Sequence, residues 1–297
     1  MKKRVGFSNY QTLKYPNRVK LYKIETGNFM ADGGAIFGVI PKVMWEKRYP
    51  ADEENYCNLA MRSLLVETAD RLVLIDTGMG NKQSEKFYSY CKLNGEDSLS
   101  GSLKNTGFSP EDITDVILTH LHFDHDGGHV AKDNKGQLSL VFPNATHWVS
   151  KAQWENYLDS NIREGAVYFP EDMIPVKEAG MLKIIENEGE HIPGVDFRLF
   201  NGHTPGMIIP VVNYKSKKIV FTADLIPLVA NIPLAWISAY DLFPLTSIAE
   251  KKEFLTEAVE NEYILFFEHD LYSECCTLKK SNHKVVVEKI VKFSEVL

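Results

Sequence analysis

The chain has 297 residues, 44% of them hydrophobic and 25% charged, with a formal net charge of −7. That length and balance describe a globular chain that can bury a large core, within reach of one α/β layered domain over residues 1–297. The acidic excess argues against a nucleic-acid-binding surface, which wants a basic one, and no apolar run is long enough to span a bilayer.

Taken in chain order, the hydrophobic pattern predicts strands near 20–25, 35–40, 61–67 and 72–76, then a helix near 82–92. Ser109-Pro110-Glu111-Asp112 reads as a helix start, a capping serine followed by proline at the first helical position, leading into the apolar run Val116–Thr119. Ser150…Gln153 and Ser247…Glu250 read as capping boxes that open helices near 151–158 and 248–261. Further strands fall near 195–200, 207–213, 218–223 and 263–267, and a terminal helix near 281–295. Alternating strand and helix blocks with several adjacent strands imply two mixed sheets covered by helices. Residues 160–192 lack clear periodicity, and residues 226–245 are apolar, aromatic and proline-broken. Both read as pocket walls; for the second, core packing or a homodimer contact is the competing reading.

The four cysteines, Cys57, Cys91, Cys275 and Cys276, show neither disulfide-framework nor Cys-x-x-Cys spacing, so free thiols in a reducing cytoplasm are expected. No apolar stretch follows the basic start Met1-Lys2-Lys3-Arg4, so no signal peptide is read there.

The densest chemistry lies in His120-Leu121-His122-Phe123-Asp124-His125-Asp126-Gly127-Gly128, directly after Val116-Ile117-Leu118. A core has no use for three imidazoles and a carboxylate in six positions, whereas zinc and its first-row neighbours do. The alternation puts His120 and His122 on one side of an extended or tightly turning segment. Asp124 and His125 point elsewhere, so one loop can address two ions. Four more metal-capable side chains end apolar runs: Asp76 after Leu72–Ile75, His203 after Val195–Phe200, Asp224 after Ile219–Ala223, and His269 after Tyr263–Glu268. Open catalytic sites in α/β proteins gather ligands at such strand exits.

The His-x-His-x-Asp-His signature, the preceding Asp76-Thr77-Gly78, Gly202-His203-Thr204-Pro205-Gly206, the isolated Asp224 and the late His269 occur in an order that resembles the metallo-β-lactamase superfamily over roughly residues 70–270. Length and spacing are similar to its lactonase and organophosphate-hydrolase branches, and Phe29–Lys42 resembles a stretch of esterase-like members. The resemblance implies a four-layer αββα sandwich of two mixed β-sheets. It implies two divalent metal ions, zinc first with manganese or iron as alternatives. His120, His122 and His203 would hold one ion, Asp124, His125 and His269 the other, and Asp224 would bridge them. A metal-bridging hydroxide would then attack a lactone or ester of a small molecule. Asp76 is expected to support the metal loop by hydrogen bonds rather than to ligate.

Departures narrow the reading. Zinc β-lactamases carry cysteine where this chain has Asp224, and diiron relatives carry glutamate where it has His122, which speaks against antibiotic hydrolysis and redox chemistry. Lactonases place a tyrosine where this chain has Pro227, so Tyr240, with Asp32, is the candidate for orienting substrate or protonating a leaving group. His129, His147, His191 and His283 lie outside any motif and read as surface or core histidines. The expected partner is a small molecule with an apolar tail, held by Ile226, Leu228, Val229, Ile232, Trp236, Tyr240 and Phe243. A glyoxalase-II-like thioesterase, a phosphotriesterase or phosphodiesterase, and a non-catalytic metal-binding protein are the competing functions.

Overall fold

The computed structural model describes residues 19–297, so the reading of the first residues as leaderless lies outside it. Among the described residues, one six-stranded sheet runs, edge to edge, through Lys20–Asp32, Tyr56–Glu67, Leu72–Ile75, Asp115–Ile117, Thr146–Ser150 and Leu182–Ile185. A seven-stranded sheet runs through Lys284–Val291, Cys275–Ser281, Ile264–Phe266, Lys217–Phe221, Met207–Tyr214, Val195–Phe200 and Gly189–Ile192. Both are mixed: Leu72–Ile75, Asp115–Ile117, Thr146–Ser150 and Leu182–Ile185 run parallel, as do Lys217–Phe221 and Ile264–Phe266, while Lys20–Asp32 with Tyr56–Glu67 and Cys275–Ser281 with Lys284–Val291 are antiparallel.

The sheets stack face to face. Leu64, Val66, Val73 and Ile75 of the first sheet share a buried cluster with Ile208, Val220 and Phe266 of the second. The intervening Leu65, Leu72 and Leu74 point the other way and pack with Leu103, Trp154 and Met173 of the covering helices. Successive strand side chains alternate between faces, so a strand covered on both sides reads as an unbroken apolar run. Helices Leu99–Asn105 and Lys151–Leu158 cover the first sheet and Pro244–Glu260 the second, giving the αββα layering that the resemblance implies.

Local chemistry explains where the pattern misled. The strand expected near 35–40 is a helix, Gly33–Phe37, because the Asp32 carboxylate accepts the Ala35 N–H at 2.9 Å and starts a helical turn that Gly38 ends at φ 57°. A short apolar run such as Ile36-Phe37 has no period of its own to arbitrate. The terminal helix near 281–295 is instead the hairpin Cys275–Ser281 and Lys284–Val291, with only Phe293–Val296 helical. Asn282 and His283 both adopt positive φ, 46° and 62°, as a tight hairpin turn requires, and the β-branched Val285-Val286-Val287 favours strand. The long helix begins at Pro244 rather than near 248, and Ser247 donates to the Phe243 carbonyl instead of capping. The cap read at Ser150 is present, with its hydroxyl accepting the Gln153 N–H at 3.0 Å. Residues 160–192 are not irregular throughout, holding helix Pro170–Glu178 and strands Leu182–Ile185 and Gly189–Ile192.

Candidate metal centre

The His120–His125 loop leaves the Asp115–Ile117 strand and is knitted to the loop that follows Leu72–Ile75. Asp76 N–H donates to the Ile117 carbonyl at 3.0 Å, and Thr77 N–H to the His125 carbonyl at 2.8 Å. The loops are close enough that a Cβ on Gly127 or Gly128 would collide with the carbonyls of Met79 or Thr77, so Gly127-Gly128 is the only pair of residues small enough there. A single helical turn, Phe123–Asp126, then swings Asp124 and His125 away from His120 and His122.

Folding brings all seven expected ligands together in two groups. His120, His122, His203 and Asp224 offer ligand atoms within 4.8 Å of one another, as do Asp124, His125 and His269. Asp224 touches both. Its Oδ2 is 3.2 Å from His203 Nε2 and 4.0 Å from His120 Nε2, while its Oδ1 is 3.2 Å from His269 Nε2. His203 Nε2 faces His122 Nδ1 at 3.2 Å, and His269 Nε2 faces His125 Nε2 at 3.1 Å.

The donor set fits divalent metal ions. Nitrogens bound tetrahedrally at about 2.0–2.1 Å sit about 3.3 Å apart, close to the separations of the two facing pairs. His120 Nε2 and Asp224 Oδ1 are buried without a hydrogen-bond partner, a cost that a bound cation would remove. Burial and the neighbouring His125, His122 and His203 rings push His120 well below its ordinary pKa, keeping its lone pair free. Burial alone would raise Asp224, but the rings of His203, His269 and His125 overcome it and hold the carboxyl well below the usual range.

The opposite ring nitrogens are held by the protein. His125 Nδ1 lies 2.9 Å from Glu268 Oε2 and 3.1 Å from Asp76 Oδ2, His203 Nδ1 3.0 Å from Asp241 Oδ1, and His269 Nδ1 2.9 Å from the Ala60 carbonyl. Such partners fix which nitrogen faces the metal. Asp76 also accepts from Thr119 N–H at 2.8 Å and Thr119 Oγ1 at 2.6 Å, so its oxygens are committed to the loop. Glu268 and Asp241 carried no signal in the sequence beyond lying on or near strand exits and the 226–245 segment. Burial raises the Glu268 carboxyl to about 8. Glu250 accepts the Asn201 and Gly202 N–H groups at 2.9 Å each, steadying the turn that carries His203.

The remaining candidates separate. Asp32 is a helix cap, one oxygen accepting the Ala35 N–H and the other Asn55 Nδ2, each at 2.9 Å. The capped helix positions Tyr240, because the Ala35 carbonyl accepts Ala239 N–H at 2.8 Å and Ser238 Oγ at 3.2 Å. Tyr240 is 46% exposed, and partial burial with the fields of Asp124, Asp32 and Asp224 pushes its hydroxyl up to about 12. The pocket wall expected from residues 226–245 is split: Ile226, Leu228, Ile232 and Trp236 are buried in the core, while Leu234, Tyr240, Phe243 and Leu245 present large exposed faces. The buried side chains pack into the two clusters formed with the sheet strands and with Phe37, Trp45 and Tyr49. His129 and His147 form a buried pair with centroids 5.0 Å apart, and His283 sits exposed at the hairpin tip.

Comparison with known proteins agrees with this geometry. Residues 62–269 match the family model described as the metallo-beta-lactamase superfamily. An N-acyl homoserine lactonase of Bacillus cereus is 28% identical over 270 residues, 86% of this chain and 94% of that protein. A "probable metal-dependent hydrolase" from Staphylococcus aureus superposes with a TM-score of 0.83 at 30% identity, over 94% of this chain and 100% of the other. An N-acyl homoserine lactone hydrolase, with N-hexanoyl-L-homoserine bound at its catalytic metal center, is 25% identical with a TM-score of 0.64, over 84% of this chain and 93% of the other. The matched span begins at Arg62, within strand Tyr56–Glu67, and ends on His269, enclosing every one of the seven clustered side chains, and on that evidence the chain belongs to the metallo-β-lactamase superfamily.

Proposed function

We propose that the protein is a dinuclear metal-dependent hydrolase that opens a lactone or ester of a small molecule carrying an acyl tail. One observation carries the dinuclear reading: a single carboxylate, Asp224, presents Oδ2 to His203 and Oδ1 to His269, each at 3.2 Å. In this reading His120, His122 and His203 would hold one ion, and Asp124, His125 and His269 the other. Two divalent ions, zinc first, would supply a water of near-neutral pKa and would polarise the substrate carbonyl.

The chain's own residues do the rest. Asp224 fixes the separation of the two groups. Asp76, Glu268, Asp241 and the Ala60 carbonyl hold His125, His203 and His269 in the orientation that keeps their metal-facing nitrogens in place. Water adds to the carbonyl carbon, the ring or ester C–O bond breaks, and the proton lost by the water ends on the leaving alkoxide. Tyr240 stays protonated at neutral pH and donates a hydrogen bond to the oxygen that gains charge. The tail lies against the exposed faces of Tyr240 and Phe243. The B. cereus relative supports a lactone as the electrophile.

The test is side-by-side hydrolysis of N-acyl homoserine lactones, aryl esters, thioesters and a paraoxon-like phosphotriester by metal-loaded protein. Lactone turnover exceeding the others by at least about tenfold in kcat/KM is expected. Phosphotriester preference, or bound metal with no turnover on any of the four, overturns the reading.

A further inference from the structure

We propose that Glu164 is a positioning residue for His122, selecting the ring orientation in which Nδ1 rather than Nε2 faces the metal. The inference rests on the dinuclear reading given above. Of the imidazoles in the His120/His122/His203 group, His122 alone turns Nδ1 toward its neighbours, 3.2 Å from His203 Nε2, so its Nε2 points outward. That outward nitrogen is buried without a closer partner, and Glu164 Oε1 is 3.5 Å from it. The gap is long for a hydrogen bond, but catalytic-site contacts commonly tighten when the site is filled.

Glu164 is built to stay charged where it is. It is 2% exposed, yet Oε1 accepts from Tyr168 Oη at 2.7 Å and Thr204 Oγ1 at 2.5 Å, and Oε2 from Asn156 and Asn161 Nδ2 at 2.8 Å each. Four donors on one carboxylate leave no ambiguity about its role as acceptor, so the His122 Nε2–H must be the donor and Nδ1 must carry the free lone pair. Thr204 follows His203 directly, so the same carboxylate ties the turn of one ligand to the ring of another. Glu164 lies in a short 3-10 turn, Glu164–Ala166, in the stretch whose sequence showed no pattern.

The role predicts a site-selective effect. Wild-type protein is first titrated with chelator; two equivalents of zinc retained stepwise are expected. In Glu164→Gln the ion of the His120/His122/His203 group should leave at a chelator concentration about 10–100-fold lower, while release of the second ion is unchanged. The substitution should add nothing in a His122→Ala background, since its effect passes through that ring. Asn161→Ala removes one donor from Oε2 together with the side-chain oxygen that accepts the Arg163 and Glu164 N–H groups, and should shift the same ion about threefold or more in the same direction. A wild-type count other than two speaks against the dinuclear reading. With two in the wild type, unchanged retention in Glu164→Gln and Asn161→Ala, release of both ions together, or a full additional loss in the His122→Ala background overturns the role of Glu164.

Discussion

The indole of Trp236 stands edge-on to the ring of Phe37, centroids 5.9 Å apart at 84°. The same indole carries the Arg48 guanidinium, 4.5 Å from the ring centroid, and the residue is 7% exposed. The segment that follows Asp224 is therefore fastened to the Gly33–Phe37 helix by an aromatic pair.

Trp236→Ala should accordingly act on stability. Truncating a buried tryptophan costs about 3–5 kcal/mol, and removing the cation–π partner of Arg48 adds to it. Urea unfolding should show the loss, with the ratio of kcat/KM for long-tailed over short-tailed substrates unchanged. A collapse of that ratio with stability intact would place the indole in the substrate cleft.

Asp224→Ala removes the carboxylate shared by the two groups. Activity should fall by at least about a hundredfold, and zinc content should drop with it. His283→Ala, at the tip of the Cys275–Ser281/Lys284–Val291 hairpin, should stay within about threefold. Equal behaviour of the two variants would show that the groups do not form the active centre.

Tyr240→Phe separates hydrogen bonding from shape. The hydroxyl is pushed up to about 12, so it remains a donor across the whole neutral and moderately alkaline range. The variant should lose about tenfold or more in kcat with KM nearly constant, as expected when a donor acts on developing charge. The wild-type rate should show no loss assignable to this hydroxyl between pH 7 and 10. A rise in KM alone would make Tyr240 a binding wall.

The His129–His147 pair makes stability depend on pH. Burial pushes His147 down to about 4 and His129 well below its ordinary value. Both are neutral when folded, whereas the unfolded chain takes up protons near pH 6.5, so unfolding is favoured as pH falls through that value. Stability present above pH 6.5 should decline towards pH 4, by about 3 kcal/mol from His147 alone. Urea midpoints at pH 7.5, 6 and 5 measure it. His147→Gln should flatten the decline; an unchanged slope would assign it to other groups.

The side chains that gather in the two metal-binding groups were legible in the sequence because their chemistry is local and costly. Three imidazoles and a carboxylate in six positions serve no packing purpose, and each distant partner follows an apolar run that folds as a strand. The two mixed sheets were legible for the same reason, since Leu64–Val66 and Leu72–Ile75 bury both faces. The partners Glu164, Asp241 and Glu268 were not. A carboxylate that orients an imidazole needs no spacing relative to it: Glu164 lies 42 positions from His122, and only the fold places them 3.5 Å apart. The fate of Ile226–Leu245 was also settled in three dimensions. An apolar, proline-broken run can line a cleft or fill a core, and which it does depends on the surface opposite. Here Phe37, Trp45 and Tyr49 supply that surface, so Trp236 is buried, while Tyr240 is left partly exposed in the field of Asp124 and Asp224. The C-terminal hairpin turned on backbone geometry at two residues, Asn282 and His283, whose left-handed φ lets two strands pair where apolar spacing had suggested a helix.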